Sequence, residues 1–219
     1  MVEPTKAQHA IRDYPGLNLL VVAPAGCGKT EALAMRIQGL LERGAAEPPR
    51  RILVTTFSNR ARDNIRDRLR QYVSAASVRD RVTISNFHGL SARIFRAHAS
   101  VIGLSFELII PESDWVGEQC RSRALDFALA AAVQDLLRTT KQEPIDDAEV
   151  DLRLSRAGLP DAVDIEHQRV AEGRLTYDDL PRMAELILAE DAVADLYRHH
   201  FDALVDDHSI EMVRMQSLI

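Results

Sequence analysis

The sequence predicts an α/β fold, a P-loop type of parallel sheet with helices on both faces, plus an all-helical inserted subdomain. Three observations predict it. The stretch Ala23-Pro24-Ala25-Gly26-Cys27-Gly28-Lys29-Thr30 stands between a short apolar run and residues at helical spacing. The order strand, polar-aromatic loop, helix then recurs twice. From residue 111 to about 190 strand-like runs cease, and they return only near residue 201.

The elements follow in order. Residues 5–11 read as a short helix with Thr5 as its cap. Gln8 on it carries an amide that both donates and accepts, which suits the N6 and N7 edge of adenine, although alone it also reads as a surface residue. Leu19-Leu20-Val21-Val22, reaching back to Leu17 with Asn18 as a polar interruption, has the length and composition of a buried strand. A phosphate-binding loop ends such a strand and starts a helix, because successive backbone N–H groups and the positive helix end converge on one anion. Gly26 and Gly28 let the backbone close around phosphate oxygens, Lys29 reaches the terminal phosphates, and the Thr30 hydroxyl suits magnesium. The common pattern opens on Gly, where this chain has Ala23.

After a helix fraying near residues 44–49, Ile52-Leu53-Val54-Thr55-Thr56 reads as a buried parallel strand. Phe57-Ser58-Asn59 and a helix over 60–72 follow, with Ile65 and Leu69 as its apolar stripe. Val82-Thr83-Ile84 is the third strand, leading through Asn86, Phe87, His88 and Gly89 into a helix bearing Leu90, Ile94 and Phe95. Open α/β sheets place ligands at the carboxyl ends of strands. There Phe57 and Phe87 read either as stacking platforms for unpaired bases or as core residues, and Ser58, Asn59 and His88 as contacts to phosphate or sugar. In the helical stretch, Ala124, Leu125, Ala128, Leu129, Ala132, Val133, Leu136 and Leu137 keep amphipathic spacing. Residues 191–200 read as a helix and 201–207 as a buried strand ending in Asp206 and Asp207. A strand-tip aspartate beside a phosphate loop is where a P-loop NTPase holds magnesium, and the next acid can orient the attacking water. The expected domains are 1–110, the first part of the nucleotide-binding domain, 111–190, the helical insert, and 191–219, the return to the sheet.

Composition bounds the function. The 219 residues, 46% hydrophobic and 27% charged, suit a globular protein with a sizeable core. No apolar run reaches the ~20 residues of a membrane helix, and the N-terminus is no signal peptide, so the expected location is cytoplasmic. Cys27 and Cys120 form no disulfide framework or metal site. The net charge of −6 argues against a uniformly basic nucleic-acid binder. Between Arg50 and His98, however, eleven arginines face three aspartates, about +8 locally against about −14 elsewhere. That asymmetry reads either as a localised polyanion contact or as a general preference for arginine.

Gln8, the loop, Thr56-Phe57-Ser58-Asn59-Arg60-Ala61, Phe87-His88-Gly89-Leu90 and Leu204-Val205-Asp206-Asp207 fall in a familiar order. The chain resembles the N-terminal part of the UvrD/Rep/PcrA-like superfamily 1 DNA helicases from about residue 4 to 207, and Thr176-Tyr177-Asp178-Asp179-Leu180 resembles their acidic motif. The resemblance implies a RecA-like core in which Gln8 reads adenine and residues 23–30 hold the phosphates of ATP. Thr30 and Asp206 bind Mg2+, and Lys29, Asp206 and Asp207 serve catalysis. Phe57, Ser58, Asn59, Phe87 and His88 contact single-stranded DNA, and the helical insert helps grip duplex. ATP-driven closure against a second RecA-like domain then moves the strand, generally 3′ to 5′.

The chain also departs from that pattern. Asp207 replaces glutamate, His208-Ser209-Ile210 replaces the usual aromatic, Gln and Asp, Glu31 stands where many members have arginine, and Asn86 replaces a common threonine. The chain stops at Ile219, so the second motor domain is expected from elsewhere, and unwinding and strong DNA binding are not expected of this polypeptide alone. The alternative is a non-catalytic ATP-binding and DNA-interaction module. A small-molecule kinase fits less well, because no lid or acceptor motif is recognisable.

Overall fold

The computed structural model describes residues 3–16, 18–22, 24, 26–105, 107 and 114–206. The chain divides into two compact units, Met1–Gly89 with Ala194–Ile219, and Leu90–Val193.

The first unit is built on a three-stranded parallel sheet of order β2-β1-β3, from β1 (Arg51–Thr56), β2 (Val82–Asn86) and β3 (Phe201–Asp206). β1 is central and, apart from half-buried Arg51, buried throughout, as its near-continuous apolar run requires. Helices α1 (Lys6–Asp13), α2 (Lys29–Glu42), α3 (Asn59–Leu69) and α4 (Ala75–Arg81) accompany it. Leu33, Ala34, Ile37 and Leu41 of α2, Ile52 and Val54 of β1, Ile65 and Leu69 of α3 and Val82 of β2 form one core, with Ala203 and Val205 of β3 packed against it. Each fully buried aliphatic side chain there contributes about 1.5–3 kcal/mol.

Two expectations change. The apolar segment 18–22 makes no sheet ladder, and Leu20 and Val22 are 77% and 85% exposed. Composition gave it a strand's character, but a strand exists only when a neighbouring edge takes its backbone groups, and none of the described strands does so. Leu17 lies outside the described residues. The third helix ends at Leu69 rather than Tyr72, and residues 75–81 form the separate α4. There Ser74 caps the new helix, accepting from the Ser77 N–H, which the polar sequence did not announce.

The second unit is all-helical among the described residues. α5 (Phe87–His98) enters it, a 3-10 turn follows over Ala99–Ile102, and then come α6 (Trp115–Ser122), α7 (Phe127–Thr140), α8 (Asp147–Ala157), α9 (Pro160–Ala171) and α10 (Asp179–Leu188). α11 (Asp191–His200) leads into β3. The unit's core joins Trp115 and Cys120 to Val133, Leu137, Val150, Leu154, Ala162 and Ile165. Asp126 and Asp146 accept from the N–H groups of Leu129 and Glu149, fixing where α7 and α8 start. No helix of the described residues is long and apolar enough to cross a membrane.

Candidate nucleotide and nucleic-acid site

The candidate phosphate loop is set by two glycines in left-handed backbone, Gly26 at φ +81° and Gly28 at φ +77°. That region costs a residue with Cβ ~1–2 kcal/mol. Gly28 is the N-cap of α2 and offers no side chain to the first turn, so the helix's first N–H groups point out of the loop without a side-chain acceptor there. Lys29 is exposed, with Nζ 3.5 Å from the Pro24 carbonyl, while Cys27 N–H donates to the same oxygen at 3.5 Å. Pro24 and Cys27 are exposed, and Thr30 lies half-buried on the first turn of α2. Ala23 and Ala25 lie outside the described residues.

Gln8 reaches this loop. The Thr5 hydroxyl accepts from Gln8 N–H, and Gln8 Oε1 accepts from Thr5 N–H at 2.8 Å, a reciprocal capping box. With its oxygen so engaged, Gln8 directs Nε2 to the Gly28 carbonyl at 3.4 Å. A Cβ on Gly28 would stand 2.8 Å from that nitrogen, so the glycine serves both its own φ and the approach of α1. The seating of α1 on α2 has two further causes. Gly39 lets the Arg12 carbonyl come closer to α2 than a Cβ there would allow. Arg36 of α2 donates to the carbonyls of Ile11 and Arg12 at 3.4 Å, to that of Tyr14 and to that of Gly16 at 3.3 Å, placing a cation at the C-terminal end of α1. Burial, then the neighbouring Arg43, lowers the Arg36 pKa from its usual value.

Asp206 ends β3, in register with Thr55 of β1, whose hydroxyl donates to Asp206 Oδ1 at 2.9 Å. The sequence did not flag Thr55, because its role appears only once β1 and β3 are paired. Asp207 lies outside the described residues, as do 208–210. A Thr30 hydroxyl and an Asp206 carboxylate oriented through one oxygen are hard oxygen donors, the kind magnesium takes. Glu31, two residues past Lys29, is bound away from the loop by Arg68 at 3.0 Å and by the Tyr72 hydroxyl.

The two polar-aromatic loops meet. Ser58 accepts from Ala61 N–H at 3.1 Å and so caps α3, with Asn59 as the first helical residue. Asn86 Oδ1 accepts from Gly89 N–H at 2.7 Å, and its Nδ2 donates to Asn59 Oδ1 at 3.0 Å. Phe57 is 54% exposed, so it is not a core residue. Phe87 and His88 are half-buried on the first turn of α5.

Among the described residues, a polar cluster that the sequence reading missed lies in the helical unit. Asp147, Glu166 and Asp179 bring carboxylate oxygens within 4.8 Å of one another, close enough for a metal ion. Three cations already fill that space. Lys141 Nζ stands 2.7 Å from Glu166 and 3.1 Å from Asp179, Arg169 stands 2.9 Å from Asp147 and 2.7 Å from Glu166, and Arg182 stands 2.6 Å from Asp147 and 2.8 Å from Asp179. With three charges of each sign the cluster neutralises itself, and a divalent ion would have to displace buried cations. Thr176 adds its N–H and hydroxyl to Asp179 Oδ2, each at 2.7 Å. Asp179 of the acidic motif is therefore a buried structural anchor. Glu166 with Arg169 and Asp179 with Arg182 stand at i, i+3, but no local pattern joins them into one buried cluster, because its members come from the C-cap of α7 and from α8, α9 and α10.

Comparison with known proteins agrees with this architecture. The family profile described as the UvrD/REP helicase N-terminal domain matches residues 4–189. Among curated relatives, an ATP-dependent DNA helicase PcrA of Leuconostoc citreum is 40% identical over 87 residues, 40% of this chain and 11% of that protein. A DNA helicase II of Escherichia coli is 35% identical over 100 residues, 46% of this chain and 14% of that protein. An ATP-dependent DNA helicase PcrA of Staphylococcus aureus is 33% identical over 109 residues, 49% and 14%. The matched stretch thus spans a small part of each relative's length. A profile match over most of the chain, on a parallel sheet with a helical unit, shows that the chain belongs to the UvrD/REP helicase N-terminal domain family.

Proposed function

We propose that this chain is the ATP-binding part of a DNA-translocating motor. MgATP binds across the loop at 24–30, with Gln8 at adenine, Lys29 at the terminal phosphates, and Thr30 and Asp206 on Mg2+. Asp207 takes the place of the water-orienting acid. Single-stranded DNA runs over Phe57, Ser58, Asn59, Phe87 and His88, with residues 111–190 as a helical insert between the parts 1–110 and 191–219 of the motor domain. The observation that carries this reading is the convergence of Gln8 Nε2 on Gly28, the left-handed N-cap of α2, which brings an amide to the mouth of a phosphate loop. In the intact motor a second RecA-like domain supplies the other wall of both sites and movement runs 3′ to 5′. Alone, this chain binds DNA weakly and works in the cytoplasm as part of that machine.

Titration with a fluorescent ATP analogue tests the reading. Lys29→Ala weakens binding by about 10-fold or more, ~1.4 kcal/mol, and equal affinity in both proteins would sink the proposal. His208, Ser209 and Ile210, where the family has an aromatic, Gln and Asp, favour a second reading, a nucleotide-gated module without turnover. Phosphate release stimulated by single-stranded DNA selects the motor, and tight binding without release selects the module.

A further inference from the structure

Beside the first residues of β2, α3 and α4 leave a pocket of about 300 Å³. Its floor is aliphatic. Val82 of β2 is buried there, Ile84 of β2 and Val78 of α4 are half-buried, and Ala75, the first residue of α4, is exposed beside them. The rest of the lining is arginine: Arg66 of α3, Arg70 at its C-cap, and Arg79 of α4. Arg66 and Arg70 stand at i, i+4, neighbours on one helix face. Each guanidinium is held by one exposed aspartate, Asp63 at 3.2 Å, Asp67 at 3.1 Å and Asp80 at 2.8 Å, and none of these three lines the pocket. Exposed pairs of this kind contribute little, so an incoming carboxylate takes the arginine over at small cost. The pocket thus sets three cations around an apolar floor and has no acid of its own. None of its lining residues belongs to the site described above. Val82 opens β2, whereas Asn86 and the polar-aromatic loops stand at the opposite, carboxyl ends of the strands.

We propose that this pocket docks an acidic segment of another protein chain, with one aliphatic side chain against Val78, Val82 and Ile84 and flanking carboxylates on Arg66, Arg70 and Arg79. Two features select a peptide over a nucleic-acid strand. The lining has no aromatic ring on which a base could stack. An aliphatic floor gives nothing to a phosphodiester, whereas it removes a leucine-sized side chain from water, with a gain that grows with the area covered. A guanidinium fork meets one carboxylate through two parallel bonds, so three forks call for a ligand with several acids. The arginine stems cover the seated side chain while their charged heads stay in water at the rim.

Fluorescence anisotropy with a labelled peptide of alternating glutamate and leucine tests it on the full chain. Two further peptides, glutamine with leucine and glutamate with serine, remove the charge and the apolar part in turn, and each binds about 10-fold more weakly or worse. Ala75→Asp places an acid at an exposed first-turn position, which suits the helix, and at i, i+4 to Arg79, where it competes with the peptide. It weakens the glutamate–leucine peptide about 10-fold and leaves the ATP-analogue titration unchanged. The double change Arg66→Gln with Arg70→Gln has the same effect on the peptide and reduces the dependence of its binding on salt. Methyl resonances of Val78 and Ile84 move when the peptide is added. Equal binding of the three peptides, wild-type affinity in both variants, or unmoved methyl resonances overturns the proposal. Oligo-dT binding that is lost in Ala75→Asp, in a protein that takes none of the peptides, also overturns it and gives the pocket to nucleic acid. Peptide binding in a protein that takes no nucleotide supports the docking pocket while removing the motor reading, so the two fail separately.

Discussion

Replacing Asp179 with alanine removes the carboxylate on which Lys141, Arg169 and Arg182 converge. Asp179 is fully buried, with Lys141 at 3.1 Å, Arg182 at 2.8 Å, Arg169 at 3.6 Å and two bonds from Thr176. Its loss leaves three buried cations facing two carboxylates. Breaking a buried ion pair from one side costs about 3–5 kcal/mol, most of it the penalty on the charge left behind. At about 4–8 °C per kcal/mol for a unit of roughly 100 residues, the Tm of the helical unit falls by about 15 °C or more. Trp115, the one tryptophan, sits in that unit's core under the Arg174 guanidinium and reports its melting by fluorescence. Asp179→Asn, which keeps the shape and loses the charge, falls nearly as far. A loss below about 1 kcal/mol in both variants would refute the account of a charge-balanced anchor. The same cluster sets a pH dependence. Burial pushes the Asp179 carboxyl up, but Lys141, Arg169 and Arg182 more than reverse this and hold it well below the usual carboxylate range. Asp147 is lowered in the same way against its own burial, by Arg169 and Arg182. A carboxyl that binds its proton less readily when folded contributes its stability above its unfolded pKa, about 3.9, and loses it as pH falls below that. The Trp115 melt therefore holds its Tm above about pH 5 and drops on further acidification, and Asp179→Asn flattens the drop.

Gly28→Ala strains a left-handed position and pushes Gln8 from the loop. It is expected to weaken nucleotide binding by about 10-fold or more while lowering stability by ~1–2 kcal/mol, read by the same titration and by a denaturant midpoint. Thr5→Ala opens the capping box that aims Gln8, costing ~1 kcal/mol of stability. It is also expected to loosen ATP-analogue binding more than binding of inorganic triphosphate, since only the proposed adenine contact of Gln8 is disturbed.

The parts of the fold that the sequence announced are those whose signals are local. β1 and β3 are short apolar runs whose pairing makes them strands, and α7 keeps Leu129, Val133, Leu136 and Leu137 of the expected spacing on its inner side, while Ala124 and Leu125 precede the helix and Ala128 and Ala132 are exposed. Thr5 and Gln8 are a capping pair separated by three residues. The parts it withheld depend on partners distant in the chain. Residues 18–22 looked as apolar as β1 but find no strand edge among the described residues. The Thr55 to Asp206 bond requires the β1–β3 register, the Asn59 to Asn86 bond requires two loops to meet, and the charge cluster requires four helices. Within the site, the glycines were legible from the demands of a phosphate loop, whereas the exposure of Phe57 was not, because a phenylalanine beside a buried strand suits either core or surface.

The basic window shows why a charge count reads differently once the chain is folded. Arg51 donates to Thr83 and to the carbonyls of Arg79, Asp80 and Val82, tying β1 to the start of β2. Arg81 donates to the carbonyls of Leu41, Ala45 and Ala46, tying that junction to the end of α2. Arg50 pairs with Asp202 at 2.6 Å and Arg68 with Glu31. Four of the eleven arginines therefore hold the first unit together. Arg62, Arg66, Arg70 and Arg79 pair with nearby aspartates on the surface, an arrangement that contributes little to stability and yields readily to a competing phosphate. Arginine suits both tasks because its planar fork satisfies several carbonyls at once, where a lysine would offer a point charge. The asymmetry in sequence charge is thus partly a scaffold for the sheet. What remains for a polyanion is a smaller set of arginines, those whose surface partners are single aspartates.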